Sequence, residues 1–228
     1  MDAKTAIETR RSVRGFLDRP VRDEDLREIL RLASRSPSGG NAQPWKVYVA
    51  RGEALRRVCD AAAEAFWATW EKKPGSERFA EAFPYYPESW RSPYSDRRRQ
   101  NGMELYRLAG VERGDRAARG EQAAKNFRMF GAPVGLFLTV ADWMGDGAKM
   151  DCAMFAQTLM LAARSMGIDS CPQAAFNKYA SVALPALGAP EGEILVCAVA
   201  LGYEDPDEPA NALRAPRAGV DEFTVWLG

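Results

Sequence analysis

From Val134 to Ala141 the chain reads Val-Gly-Leu-Phe-Leu-Thr-Val-Ala, with Thr139 the one polar side chain. The run has the length of a strand, and it lacks the alternation that would leave one face for water. Such a strand has to be covered on both faces. Ile194–Leu201 is a second apolar strand, and Lys46–Ala50 a shorter one. Helical periodicity lies between and around them. Ala3–Thr9 is a short helix. Asp23 is expected to cap the next, with Glu24 and Asp25 facing its dipole and Leu26, Ile29, Leu30 and Ala33 on one face, up to Pro37. Glu53–Lys73 places Leu55, Val58, Ala62 and Phe66 on a stripe before Pro74-Gly75, and further helices are expected over Asp115–Phe130 and Asn177–Leu187. Asp151–Met166 is apolar almost all round, as befits a helix buried in the domain centre or in a dimer interface. Alternating helices and apolar strands in 228 residues argue for one domain, with a sheet sandwiched by helices.

Two polar clusters stand out. Ser36–Trp45, Ser-Pro-Ser-Gly-Gly-Asn-Ala-Gln-Pro-Trp, joins a helix to a strand. Its glycines let backbone approach a ligand, and Ser38, Asn41 and Gln43 can read the edge of a heterocycle. The plainer reading is an ordinary connection. Upstream, Arg10-Arg11-Ser12-Val13-Arg14 sets three guanidinium forks and a hydroxyl together, donors matched to a phosphate; the plainer reading is a solvated face.

Together the clusters resemble those of the nitroreductase family of FMN-dependent oxidoreductases, in which Arg-x-Ser-x-Arg/Lys precedes Pro-Ser-x-x-Asn-x-Gln-Pro-Trp. The resemblance covers nearly the whole chain. It implies an α+β fold, a three-layer α/β/α sandwich whose C-terminal tail is exchanged between the subunits of a homodimer. It implies FMN at the subunit interface, with NADH or NADPH as electron donor and a small nitroaromatic, or a quinone, as acceptor. Arg10, Arg11, Ser12 and Arg14, joined by Arg217 and more weakly by Arg214, would hold the flavin phosphate and ribityl chain. Ser38, Gly39, Asn41 and Gln43, from the opposite subunit, would line the ring. Pro172, Gln173, Ala174 and Ala175 would run beside its reactive face, with a backbone N–H of Ala174 or Ala175 near N5. No side chain is then expected as catalytic acid or base. Many relatives have Ser at the position of Gly39 and an acid at that of Ala174, so substrate preferences do not carry over. The same fold also supports ene reduction, dehalogenation and flavin fragmentation, and a flavin-binding protein without turnover is an alternative of another class.

Residues 76–101 interleave Phe79, Phe83, Tyr85, Tyr86, Trp90 and Tyr94 with prolines and charges. This aromatic insert is expected to fold over something: a substrate as a lid, a partner subunit, or a satellite core. Arg97–Arg99 is expected to be a solvated helix start. The extension 203–228 ends in Phe223-Thr224-Val225-Trp226, which the resemblance places around the partner subunit.

Composition narrows the chemistry. The chain has no histidine, which excludes Ser-His-Asp systems and histidine-ligated metals, and no metal site is expected. Zero formal net charge argues against nucleic acid or an anionic membrane as partner, and no apolar run is long enough to span a bilayer. Cys59, Cys152, Cys171 and Cys197 form no Cys-x-x-Cys; with no secretory leader apparent before the first helix, they are expected to be buried thiols in a cytoplasmic protein.

Overall fold

The computed structural model describes residues 1–228. Four strands, β1 (Lys46–Arg51), β2 (Val134–Ala141), β3 (Asp169–Gln173) and β4 (Glu193–Gly202), form one sheet of order β1-β2-β4-β3 with every pair antiparallel. Seven of the eight β2 residues are buried, as a strand covered on both faces must be. Side chains of β2 alternate between the two helical layers. Phe137 joins Val58, Ala62 and Phe66 of α3 (Gly52–Trp70), with Ala183 of α7 (Ala180–Leu187), on one face. Val134, Leu136, Leu138 and Val140 join Leu26 and Ile29 of α2 (Asp23–Ala33), with Phe155 and Leu159 of α6 (Asp146–Ser165), on the other. The result is the expected three-layer α+β sandwich.

Helix boundaries differ from expectation for local reasons. Arg22, not Asp23, is the N-cap of α2; Asp23 sits in the first turn, where its carboxylate pairs with Arg51 at 2.6 Å. The helix expected over Asp115–Phe130 is α5 (Arg116–Ala124), capped by Asp115, followed by a 3-10 segment from Lys125 to Gly131. Met129 and Phe130 there have φ of 51° and 54°, held by burial of both side chains in the α3 layer. Residues 171–173 form the end of strand β3; a 3-10 segment Ala174–Tyr179 follows, so the helix expected from Asn177 begins at Ala180 as α7.

Residues 97–99 fall in α4 (Tyr94–Leu108), a helix with no buried residue, so the arginine run is a solvated face. The insert before it is anchored at its root. Phe79 packs on Tyr179 with ring centroids 5.6 Å apart, and Asn177 accepts from Ala82 N–H (2.7 Å) and donates to Phe83 C=O (3.0 Å). Beyond that root, Tyr85, Tyr86 and Trp90 pack on each other and remain exposed. The last helix, α8 (Val220–Phe223), touches α4 through an Arg97–Glu222 ion pair of 3.1 Å, while Phe223, Val225, Trp226 and Leu227 are exposed. All four cysteines are free, three of them buried. No helix is long and apolar enough to cross a membrane.

Candidate active site

The segment after α1 (Ala3–Thr9) lies along the free edge of β3. Val13 N–H donates to Ser170 C=O at 3.0 Å, and Ser12 bridges Ser170 in parallel register. A polar network holds it there. Arg164 at the end of α6 donates to Thr9 Oγ1 (3.0 Å) and Asp169 Oδ1 (2.9 Å), and Asp169 accepts from Glu204 N–H (3.3 Å). Glu204 in turn pairs with Arg11. Arg11 is therefore engaged inside the chain, although its buried Nε has no hydrogen-bond partner.

The C-terminal extension joins the same place. Asn211 accepts from Arg14 N–H (2.6 Å) and donates to Gly15 C=O and Asp205 C=O (2.9 Å each). Arg10 is half-buried, and burial followed by the neighbouring Arg217 lowers its proton affinity. Arg10, Arg14, Arg214 and Arg217 form no ion pair with a carboxylate; Arg14, Arg214 and Arg217 donate only to backbone carbonyls close in sequence. Cys171 does not act as their counter-ion. Burial pushes its thiol up to about 11, against the opposing pull of Arg14 and Arg10, so it is neutral at pH 7. Residues from both ends of the chain thus make a cationic cluster without an acid.

At the far end of β3, Gln173 is buried and donates to Asn126 C=O (2.5 Å), while its Oε1 accepts from nothing. Pro172 is exposed; Ala174 and Ala175 are partly exposed.

Ser38–Gln43 lies elsewhere. The loop is pinned at its ends, by Ser36 Oγ donating to Thr158 Oγ1 (2.8 Å) and by Trp45 stacking on Phe155 (4.9 Å between centroids). Between these anchors Gly39, Asn41 and Gln43 are exposed, and Asn41 and Gln43 have φ of 59° and 50°. Gln43 donates from its N–H to Ser38 Oγ (3.0 Å) and from its amide to Asn41 C=O (3.2 Å). Gly39 N–H donates to Asp151 near the start of α6 (3.1 Å). Thirteen residues of α6 separate Asp151 from Arg164, roughly 20 Å at the helical rise. One chain brings Arg10, Arg14, Arg214 and Arg217 together and leaves Ser38, Asn41 and Gln43 at the opposite end of α6.

Sequence reasoning missed Asn211, Glu204 and Asp151, which position these loops. Each is an ordinary polar residue in the sequence, and its partner is distant along the chain.

The model of the nitroreductase family matches residues 7–203. The chain is 35% identical over 222 residues to the nitrobenzene nitroreductase of Ectopseudomonas oleovorans, covering 97% of this chain and 95% of that protein. It is 33% identical over 227 residues to the 4-nitrobenzoate reductase of Pseudomonas putida, covering 100% and 96%. Among solved structures it superposes on the FMN and NADPH-dependent nitroreductase NfnB from sphigopyxis sp. strain HMH with a TM-score of 0.93 and 38% identity, over 100% of both chains. By motif, fold and full-length similarity, this chain belongs to the nitroreductase family.

Proposed function

We propose that the protein is an FMN-dependent enzyme that oxidises NAD(P)H and reduces nitroaromatic compounds by ping-pong, two-electron hydride transfer, as a cytoplasmic homodimer. The observation that carries this is the acid-free cluster of Arg10, Arg14, Arg214 and Arg217 beside β3. Cations held together against their own repulsion call for an anion, and guanidinium forks suit a phosphate. Three charge-assisted hydrogen bonds are worth roughly 5–9 kcal/mol gross, against about 8 kcal/mol for a micromolar complex, so ring contacts must add to them. The buried Oε1 of Gln173, the residue before Ala174, accepts from nothing, an acceptor left over for a heterocycle that carries N–H groups. Arg10, Arg14 and Arg217 would thus hold the phosphate of FMN, with Ser12 and Arg214 beside them and Arg11 acting through its backbone. Pro172–Ala175 would face the ring, and Ser38, Gly39, Asn41 and Gln43 of a second copy would close it.

Two features support the dimer. The halves of the site are roughly 20 Å apart within one chain. Along α6, Met150, Ala153, Met154 and Gln157 are exposed at helical spacing, a largely apolar stripe with Met150 68% and Met154 40% exposed. Such a stripe is read as a protein contact surface. The exposed apolar end of the extension, Phe223 to Leu227, would wrap the same partner, and the exposed outer half of the insert 76–101 would close over the substrate. Four free thiols suit a reducing cytoplasm.

Bound FMN supplies hydride acceptance from NAD(P)H and hydride donation to the nitro group. The chain's part is binding and positioning: the arginines neutralise the phosphate, and the sheet edge and partner loop orient flat substrates. With no histidine and a neutral Cys171, no side chain at the cluster is poised as acid or base, and solvent supplies the protons.

The test is the visible spectrum of the purified protein before and after anaerobic NADPH or NADH. A yellow protein that bleaches, then recolours with 4-nitrobenzoate or nitrobenzene, meets the proposal. Bleaching without recolouring by any nitro compound moves the reaction to another reduction on this fold. A colourless protein that FMN cannot reconstitute overturns the site.

A further inference from the structure

Helix α4 has no buried residue of its own, and the C-terminal extension meets it at two places. It lies against the 3-10 segment Pro209–Ala212, whose Asn211 fixes the arginine stretch, and its Arg97 pairs with Glu222 of α8 at 3.1 Å. Arg214 and Arg217 fall between these contacts. The part of the extension that carries two arginines of the cluster is therefore braced on α4 at both ends. Glu222 makes the second contact with both carboxylate oxygens in use. Its Oε1 accepts from Gly219 N–H (2.7 Å), just after Arg217, and its Oε2 from Arg97. The Gly219 bond first, and then Arg97, hold its carboxyl below the usual carboxylate range, so it is charged at neutral pH.

The next residue of α4 reaches the other way. Arg98 lies over the exposed aromatics of the insert, 5.1 Å from the ring centroid of Trp90 and 5.8 Å from that of Tyr86. A continuous set of contacts thus runs from Arg217 through Gly219, Glu222, Arg97 and Arg98 to Trp90 and Tyr86. Every residue in it is exposed, so each link is weak alone. A ligand that fixes Arg217 takes freedom from the segment after it, the one that holds Glu222 against α4. We propose that Glu222, Arg97 and Arg98 are positioning residues that couple the phosphate cluster to the aromatic insert, so that flavin loading fixes the insert over the substrate. This rests on the reading that Arg217 holds the FMN phosphate and that the insert covers the ring.

The experiment is hydrogen exchange read by mass spectrometry, with and without saturating FMN. The proteins are the natural chain, Glu222→Gln, Arg97→Met, Arg97→Lys and Arg98→Met. Glu222→Gln keeps an acceptor for Gly219 N–H and loses only the charge that faces Arg97. In the natural chain FMN should slow exchange over residues 79–108 about three-fold or more. Glu222→Gln and Arg97→Met should lose most of that slowing, and Arg97→Lys should keep it. Arg98→Met should lose it over 79–92 and keep it over 94–108. At saturating FMN, KM for 4-nitrobenzoate should rise about three-fold in Glu222→Gln with little change in kcat. That difference should vanish in about 1 M salt, which screens an exposed pair and would leave a packing defect in place. Equal slowing by FMN in every protein, or a KM difference that salt leaves unchanged, overturns the coupling. If the natural chain binds no FMN, the flavin reading fails, and the trigger with it. Exchange over 94–108 in flavin-free Glu222→Gln then decides the link separately: faster than in the natural chain if Glu222 holds α4, equal if it does not.

Discussion

Residues 10–17 are held by the rest of the chain at nearly every position, whereas residues 38–43 are held from the ends of their loop and by one bond from Gly39 N–H to Asp151. In the first stretch, backbone bonds to Ser170 and Tyr203, the Arg11–Glu204 pair and Asn211 fix the arginines before any ligand arrives. In the second, exposed polar groups satisfy one another across a tight turn. A folded chain can accumulate like charges only where its own structure compels them to stay. Exposed loop groups, by contrast, are positioned when something closes on them. The difference teaches that, on the proposed reading, the phosphate half of the site would be prebuilt and the ring half completed by association.

Removing Asn211 should have the largest effect. Asn211→Ala leaves Arg14 N–H without a partner in a buried place and takes one of two donors from each of the Gly15 and Asp205 carbonyls, a loss of about 3 kcal/mol. Calorimetry should show the Tm of the flavin-free protein lowered by roughly 10 °C. An unchanged Tm would mean that the arginine stretch is not held as described.

Arg217→Ala separates binding from stability. The side chain is exposed and donates only to Ala215 and Pro216 carbonyls, so Tm of the flavin-free protein should move little. Loss of one charge-assisted bond to phosphate should weaken FMN about 10- to 100-fold, read by fluorescence titration. Undiminished flavin affinity would remove Arg217 from the site.

Association itself is tested by Met154→Glu, which places a charge in the apolar stripe of α6. Sedimentation should give a monomer at micromolar concentration, and FMN binding should fall at least ten-fold although every arginine is intact. A monomer that binds FMN as the natural chain does would show that one chain holds the whole site.

The contrast was only partly legible in the sequence. Strands β2 and β4 declare themselves because a doubly covered strand is apolar throughout. Strand β3, Asp-Ser-Cys-Pro-Gln, does not, since its pairing with β4 comes from the tertiary fold; as an edge strand it tolerates Pro172, which cannot donate to a ladder. The positive φ of Met129 and Phe130 is likewise imposed by core packing that no local pattern encodes. At the site, arginine spacing and the Pro-Ser-Gly-Gly-Asn motif gave the residue types. Which arginines lack an acid depended on Glu204, nearly two hundred positions from Arg11. The roughly 20 Å between the clusters depended on which ends of α6 their loops meet.

The finest test of the contrast is Gln43→Gly. Gln43 holds φ at +50°, where a side chain costs on the order of 1 kcal/mol that glycine does not incur. Asn41, at φ 59°, is of a type that tolerates this region better, so relief there would be smaller. Greater freedom of glycine in the unfolded chain offsets part of the gain. The flavin-free variant should therefore unfold at the same urea midpoint or slightly above it. Flavin affinity should fall a few-fold, because the amide that can reach the ring edge is gone. A lower midpoint would mean that the loop's internal hydrogen bonds matter to the fold. It would then be structure in its own right rather than a strained arm positioned for a second copy.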